Sequence, residues 1–148
     1  MSKNFSSTQK AYLAGFLDGD GSIYVRLKPN PTYRYGFQVA PYIVLFQSSK
    51  DKDNFQQICD LIGLGHLRER KDGILEYIIS KQDSIKLFLK TVKPYSLLKK
   101  RQIKLMIKIL EQKERVKSEN DFKVLAKMID SFRDLNYSKK RKRRILTP

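Results

Sequence analysis

The chain has one cysteine, Cys59, and one histidine, His66. A lone cysteine forbids an intrachain disulfide, and the two residues together cannot make a multi-Cys/His zinc site. Any Ser-His-Asp or Cys-His arrangement would have to be built on His66. A metal, if one is used, must be held by carboxylates and carbonyls, which favours a hard ion such as Mg²⁺ or Ca²⁺. No run approaches the roughly 18 apolar residues that cross a bilayer, and residues 1–10 lack the apolar stretch of a secretory signal. These absences point to a soluble intracellular protein without a membrane partner. Acidic residues are also in short supply, with 15 Asp+Glu against 31 Lys+Arg and a formal charge of +16 on 148 residues. The expected partner is a polyanion, nucleic acid before an anionic membrane. The length suits one domain with a sizeable core.

What the chain does contain is most concentrated in residues 11–21. Ala11, Gly15 and Gly19 recur every four positions, so a helix here is bare on one side while Leu13, Phe16 and Leu17 anchor the other. Such a face admits a second helix at close range, or else a sheet of the same chain. Asp20 falls at the C-terminal end of that helix, where the macrodipole disfavours an acid by about 0.3–1 kcal/mol. The run Asp18-Gly19-Asp20-Gly21-Ser22 opens like a calcium loop, but the twelfth position, which requires Glu, is Pro29. An EF-hand is excluded.

The first helix is expected to start near Ser6-Ser7-Thr8, all N-cap types. Residues 22–27 alternate, with Ile23, Val25 and Leu27 on one face and Tyr24, Arg26 and Lys28 on the other. A second strand is expected over residues 35–47, with Phe37, Val39, Ile43 and Leu45 opposite Gln38, Ala40, Tyr42, Val44 and Phe46. Pro41 cannot donate to a ladder, which predicts an edge position or a bulge. Residues 51–62 read as a helix stopped by Gly63, with Cys59 on its apolar stripe and therefore core rather than nucleophile. Residues 64–70 and 74–80 form a hairpin about Lys71-Asp72-Gly73. His66, Arg68 and Arg70 share a face there, and a histidine among arginines reads as solvated or DNA-facing. Helices follow over residues 84–92 and 99–115, and Ser118 caps another. The predicted order is helix, two strands, helix, two strands, helices. The outer sheet face, rich in Arg, Lys, Gln and Tyr, has the residue types that read base edges in a major groove, and Val44 or Ala40 could meet a thymine methyl.

Residues 13–21 resemble the signature of the LAGLIDADG homing endonucleases, with Phe16 and Leu17 in its apolar slots and Gly19 replacing the second Ala. The similarity is to the single-motif subfamily encoded by introns of algal organelles. It extends from Tyr12 to Lys142 through Lys28-Pro29-Asn30, Gln38, Gln47, the Gly63-x-Gly65 turn, the segment 94–102 and Leu135-Asn136. The resemblance implies an α+β fold of αββαββα order, with a four-stranded antiparallel DNA-binding sheet and additional C-terminal helices. It would occupy residues 1–137, followed by a basic tail, residues 138–148.

In activity the resemblance implies a homodimeric, site-specific double-strand endodeoxyribonuclease acting on a long, nearly palindromic duplex. The two chains would pack through Ala11, Tyr12, Gly15 and Gly19. Asp20 and the Gly19 carbonyl would hold Mg²⁺, with Mn²⁺ as an alternative and Ca²⁺ binding without supporting cleavage; no small-molecule cofactor is implied. Gln47 would position the water network near the cleaved phosphate. Lys99 would stabilise phosphorane charge, since an ammonium is a poor general base near neutral pH. Where relatives carry a basic residue four positions after the glutamine, this chain has Asp51, and Lys50 is favoured over Lys52 as the replacement. Base contacts would come from Tyr24, Arg26, Lys28, Asn30, Thr32, Tyr33, Gln38, Ala40, Tyr42, Val44, Phe46, Arg68, Arg70, Glu76 and Ile78. Asn136, Ser138, Lys139 and Lys142 would touch the DNA backbone. The implied setting is a chloroplast or mitochondrion. The alternative is an RNA maturase or a non-cleaving DNA-binding protein of the same fold.

Overall fold

The structure is a computed structural model and describes residues 3–136. Its elements run α1 (Ser7–Asp20), β1 (Gly21–Pro29), β2 (Phe37–Ser48), α2 (Lys52–Ile62), β3 (His66–Glu69), β4 (Ile74–Ile79), α3 (Gln82–Val92), α4 (Lys100–Arg115) and α5 (Glu119–Asp134). A single 3-10 turn, Ser49–Asp51, leads into α2. The order agrees with the sequence pattern. Differences are at boundaries: β2 begins two residues late because Tyr33 and Gly36 N–H groups close turns onto Asn30 and Tyr33 carbonyls, and Lys99 caps α4 rather than opening it.

Ser6 fixes the start of α1 through a capping box, its hydroxyl accepting from Gln9 N–H while the Gln9 side chain accepts from Ser6 N–H. Leu13, Ala14 and Leu17 are buried on the inner side of the helix. At its other end the chain turns directly into β1 at Gly21, whose N–H donates to the Leu17 carbonyl. A Cβ at Gly21 would stand 2.8 Å from that carbonyl oxygen and 2.9 Å from Leu17 Cα. Both are backbone atoms and cannot swing away. Gly21→Ala is therefore expected to destabilise the fold by about 1–3 kcal/mol, the usual cost of overpacking. A melting temperature lower by several degrees would be seen by calorimetry, and an unchanged one would mean the helix-to-strand junction is looser than its geometry.

The sheet is antiparallel, in the order β1-β2-β4-β3. β1 and β2 pair from Gly21↔Leu45 to Pro29↔Phe37, while β4 joins β2 only from Ile43 onward. Pro41 pairs with Val25 in the half of β2 that has no second neighbour, so its missing donor costs no ladder bond. Odd-numbered residues of β1 and β2 (Ile23, Val25, Leu27, Val39, Ile43, Leu45) enter one core with Leu75, Tyr77 and Ile79 of β4 and the apolar faces of all five helices. α4 makes its principal contacts with α3 and α5, outside the sheet-contacting layer. Even-numbered residues are left on the opposite face.

Candidate active site and nucleic-acid interface

The junction of α1 and β1 gathers the chemistry. Gly19 and Asp20 are exposed at the end of α1. Apart from the chain neighbours and the helix's own backbone, no atom of the described residues lies within 4 Å of where a Cβ at Gly15 or Gly19 would be. Ala11 is exposed as well, and Tyr12 is 54% exposed. The small face of α1 thus has no partner among the described residues of its own chain, which removes packing on its own sheet as the reason for the glycines. In a helix each such glycine costs about 0.5–1 kcal/mol relative to alanine, and no contact among the described residues offsets it.

Asp18 is the residue that sequence reasoning missed. Its carboxylate accepts from Ser96 Oγ (2.5 Å), from Leu97 N–H (2.7 Å), from Leu98 N–H (3.1 Å) and from Lys99 N–H (3.3 Å). The Lys99 ammonium returns to donate to the Asp18 carbonyl at 3.2 Å. Burial alone would raise the Asp18 carboxyl, but the hydrogen bonds from Ser96, Leu97, Leu98 and Lys99 outweigh it and hold the group below the ordinary carboxylate value. The only signal in the sequence was a second acid in a helix turn where the dipole disfavours one.

Gln47 lies two residues beyond the last β1–β2 rung, Gly21↔Leu45, which carries it to the same end of the sheet as the α1 terminus. Its side-chain oxygen accepts from Ser48 N–H at 2.8 Å. Asp51 sits at the entry to α2 without a side-chain cap bond. Lys52 is committed to Glu69, 3.0 Å away, whereas Lys50 is exposed and in none of the ion pairs among the described residues. Of the two lysines, Lys50 is the one left unengaged.

The outer sheet face carries Tyr24, Arg26 and Lys28 of β1 opposite Tyr42, Ala40 and Gln38 of β2. Phe46 pairs with Glu76 and Val44 with Ile78; Arg68 pairs with Glu76 and His66 with Ile78. The polar members are organised. Tyr24 and Tyr42 stack at 5.1 Å, Arg26 lies over the Tyr24 ring, and Lys28 Nζ donates to Tyr42 Oη at 2.7 Å. Ala40 and Val44 share the face but are only 6% and 2% exposed, so their neighbours cover them from above. Asn30 Oδ1 accepts from Thr32 N–H and Thr32 Oγ1 in the turn beyond β1, where Tyr33 is exposed. Arg70 pairs with Asp72 just past β3. Asn136 follows α5, next to Leu135, whose carbonyl accepts from buried Gln102. Ser138, Lys139, Lys142 and the rest of the basic tail lie outside the described residues.

Net charge is uneven along the described chain. Residues 3–80, which include the whole sheet, have ten Lys+Arg and eight Asp+Glu, whereas residues 81–136 have fifteen and seven. On the outer sheet face itself Arg26, Lys28 and Arg68 stand with Glu76 among the tyrosines, while most acids of residues 3–80 lie in α1, α2 and the turns. Cys59 is buried and its thiol is pushed up to about 11, chiefly by burial, as expected of a core residue. His66 is exposed on the outer face, away from the α1 terminus. Among the described residues no helix is long and apolar enough to cross a membrane.

A polar, aromatic-lined antiparallel sheet backed by helices, with an acid displayed where a small-faced helix meets the first strand, defines a nucleic-acid-directed α+β protein. The LAGLIDADG endonuclease family model matches residues 13–110, and the chain belongs to that family. It is 34% identical over 143 residues to DNA endonuclease I-CreI of Chlamydomonas reinhardtii, covering 96% of this chain and 87% of the relative. To DNA endonuclease I-CvuI of Chlorella vulgaris it is 31% identical over 139 residues, covering 93% and 86%. The crystal structure of I-CvuI with the I-CreI target in the presence of Mg, in which the DNA is not cleaved, superposes with a TM-score of 0.83 at 30% identity, over 91% of this chain and 86% of that one. The fold extends further: an archaeal intron-encoded homing endonuclease, I-Vdi141I, complexed with DNA, matches at a TM-score of 0.79 with 20% identity, over 91% and 88%.

Proposed function

We propose that this chain is a homing endonuclease that cuts both strands of a long, nearly palindromic DNA site as a homodimer, using divalent metal. The observation that carries the reading is the exposed Asp20 at the end of a helix whose small face, Ala11, Gly15 and Gly19, has no partner among the described residues of its own chain, with exposed Tyr12 beside it. Two copies packed through that face bring two Asp20 carboxylates together. Two like charges at short range raise one another's cost of ionisation, and a cation between them removes that cost.

The donors fit a hard ion. Asp20 and the Gly19 carbonyl offer oxygen only, the preference of Mg²⁺. Among the described residues no three of His, Cys, Asp and Glu cluster as a metal site, so further ligands come from the second copy, the DNA or water. Bound there, Mg²⁺ would make water a better nucleophile and neutralise charge on the leaving oxygen. The chain's own residues do the rest. Gln47 orders water at the sheet end, the Lys99 ammonium at the α1 terminus stabilises charge on the phosphate undergoing attack, and Lys50 supplies a second cation.

On this reading the outer face lies in the major groove and reads bases through Tyr24, Arg26, Lys28, Gln38, Tyr42, Arg68, Arg70 and their neighbours, while Asn136, Ser138, Lys139 and Lys142 hold the backbone. Ala40 and Val44 act as the floor that sets the height of the longer side chains. The place of action is a chloroplast or mitochondrion. Plasmid carrying the intronless target, incubated in Mg²⁺ and separately in EDTA, tests the activity. A double-strand cut in Mg²⁺ alone is the expected result, and tight binding with no cut in any divalent metal would leave the non-cleaving DNA-binding protein. Arg26→Ala should cost about 1–3 kcal/mol of binding and relax preference at its own base pair. Equal losses on specific and scrambled DNA would reassign Arg26 to the backbone.

A further inference from the structure

The contacts of Asp18 join two parts of the chain 78 to 81 residues apart. Its two oxygens divide four donors, Oδ1 taking Ser96 Oγ and Lys99 N–H, and Oδ2 taking the N–H groups of Leu97 and Leu98. These donors lie at and just before the start of α4, where the first N–H groups have no intrahelical partner. Lys99, at the cap position, makes no side-chain cap of its own. Asp18 accepts from residues at and before that cap position, so it anchors the chain entering α4 rather than capping the helix itself. The acid is disfavoured by the dipole of α1 and favoured by that of α4.

Apolar burial does little to fix this segment. Leu97 is 76% exposed and Leu98 64% exposed, and only Ser96 is fully buried. The anchor is polar and converges on one carboxylate. The main chain of the same residue also receives the Lys99 ammonium, one position before Gly19 and two before Asp20.

We infer that Asp18 is a positioning residue for cleavage, which fixes the segment 96–99 to the end of α1 and so holds the Lys99 ammonium at the Asp18 carbonyl, in the turn of α1 that ends at Asp20. The inference rests on the endonuclease reading above. In Asp18→Asn one oxygen becomes an amide NH₂ that faces N–H donors, the segment loosens, and Lys99 loses its fixed place while the sheet is untouched. Misplacing a reacting group by about 1 Å can cost 10²-fold in rate.

The test is a double-variant cycle on the full-length protein with its target duplex, reading single-turnover rate in Mg²⁺, DNA affinity in Ca²⁺ and the melting temperature. Asp18→Asn is expected to slow cleavage by about 10²-fold with affinity little changed, and Lys99→Met by about 10²–10³-fold. The double variant should be no slower than Lys99→Met by more than about twofold, since the two act through one group. Rates that multiply instead overturn the inference. Should Asp18→Asn fail to fold, Ser96→Ala removes one donor only. A loss of about 3–10-fold that vanishes in the Lys99→Met background supports the inference, and an equal loss in both backgrounds overturns it. A wild-type protein that binds its target and does not cut it fails the endonuclease reading itself, before any variant is compared.

Discussion

Asp20→Asn is expected to yield a protein that folds, dimerises and binds its target, yet does not cut it. The carboxylate is exposed, and a near-isosteric change on the surface normally alters stability by no more than about 0.5 kcal/mol. On the proposed reading, what it removes is charge at the place where two chains would bring acids to the same phosphates. Metal-assisted charge stabilisation contributes several kcal/mol to a transition state, and each 1.36 kcal/mol is a decade in rate. Cleavage should fall by about 10³-fold or more. The measurement is single-turnover cleavage in Mg²⁺ beside affinity in Ca²⁺ and a melting curve. Activity within tenfold of wild type would place the metal on other ligands, and a lowered melting temperature would make Asp20 a structural residue.

The place of Asp20, exposed at the end of α1, was legible in the sequence because it is locally wrong: an acid at a helix end that repels it asks for another reason. The strands were legible for a similar reason. Alternation places Ile23, Val25 and Leu27 opposite Tyr24, Arg26 and Lys28, and the ladder keeps that parity across β2 and β4 without a bulge. Gly63, at φ 59°, ends α2 as its sequence position implies. Local chemistry writes these features, so local reading recovers them.

Asp18 was not legible, because its role depends on Ser96, Leu97, Leu98 and Lys99, and no periodicity relates positions that far apart. The same limit hid the burial of Ala40 and Val44. Alternation assigns them correctly to the outer face, but how deep a small side chain sits there depends on Tyr24, Tyr42 and the other long neighbours around it. Charge shows the limit from another side. The net +16 pointed to nucleic acid, yet half of it, +8 (fifteen less seven), comes from residues 81–136 and only +2 (ten less eight) from residues 3–80, which hold the whole sheet. Composition counts charges and does not place them.

Gly15→Leu separates folding from assembly. Beyond its chain neighbours and its own helix backbone, no described atom lies within 4 Å of a Cβ at Gly15, so a leucine there starts in open space. Exchanging a helical glycine for leucine should also strengthen the helix, by up to about 0.8 kcal/mol. The monomer fold is thus expected to be as stable as wild type or more so. In a two-fold dimer the substitution occurs twice at a contact that tolerates only small residues, and overpacking at about 1–3 kcal/mol per site amounts to about 2–6 kcal/mol. Association should weaken by about 30- to 10⁴-fold, and cleavage with it, since one chain offers one Asp20. Sedimentation equilibrium on Gly15→Leu measures the first effect and cleavage across a range of protein concentrations the second. A dimer of unchanged affinity would put the interface on another face of the molecule. A variant that unfolds would mean the glycine serves its own chain after all.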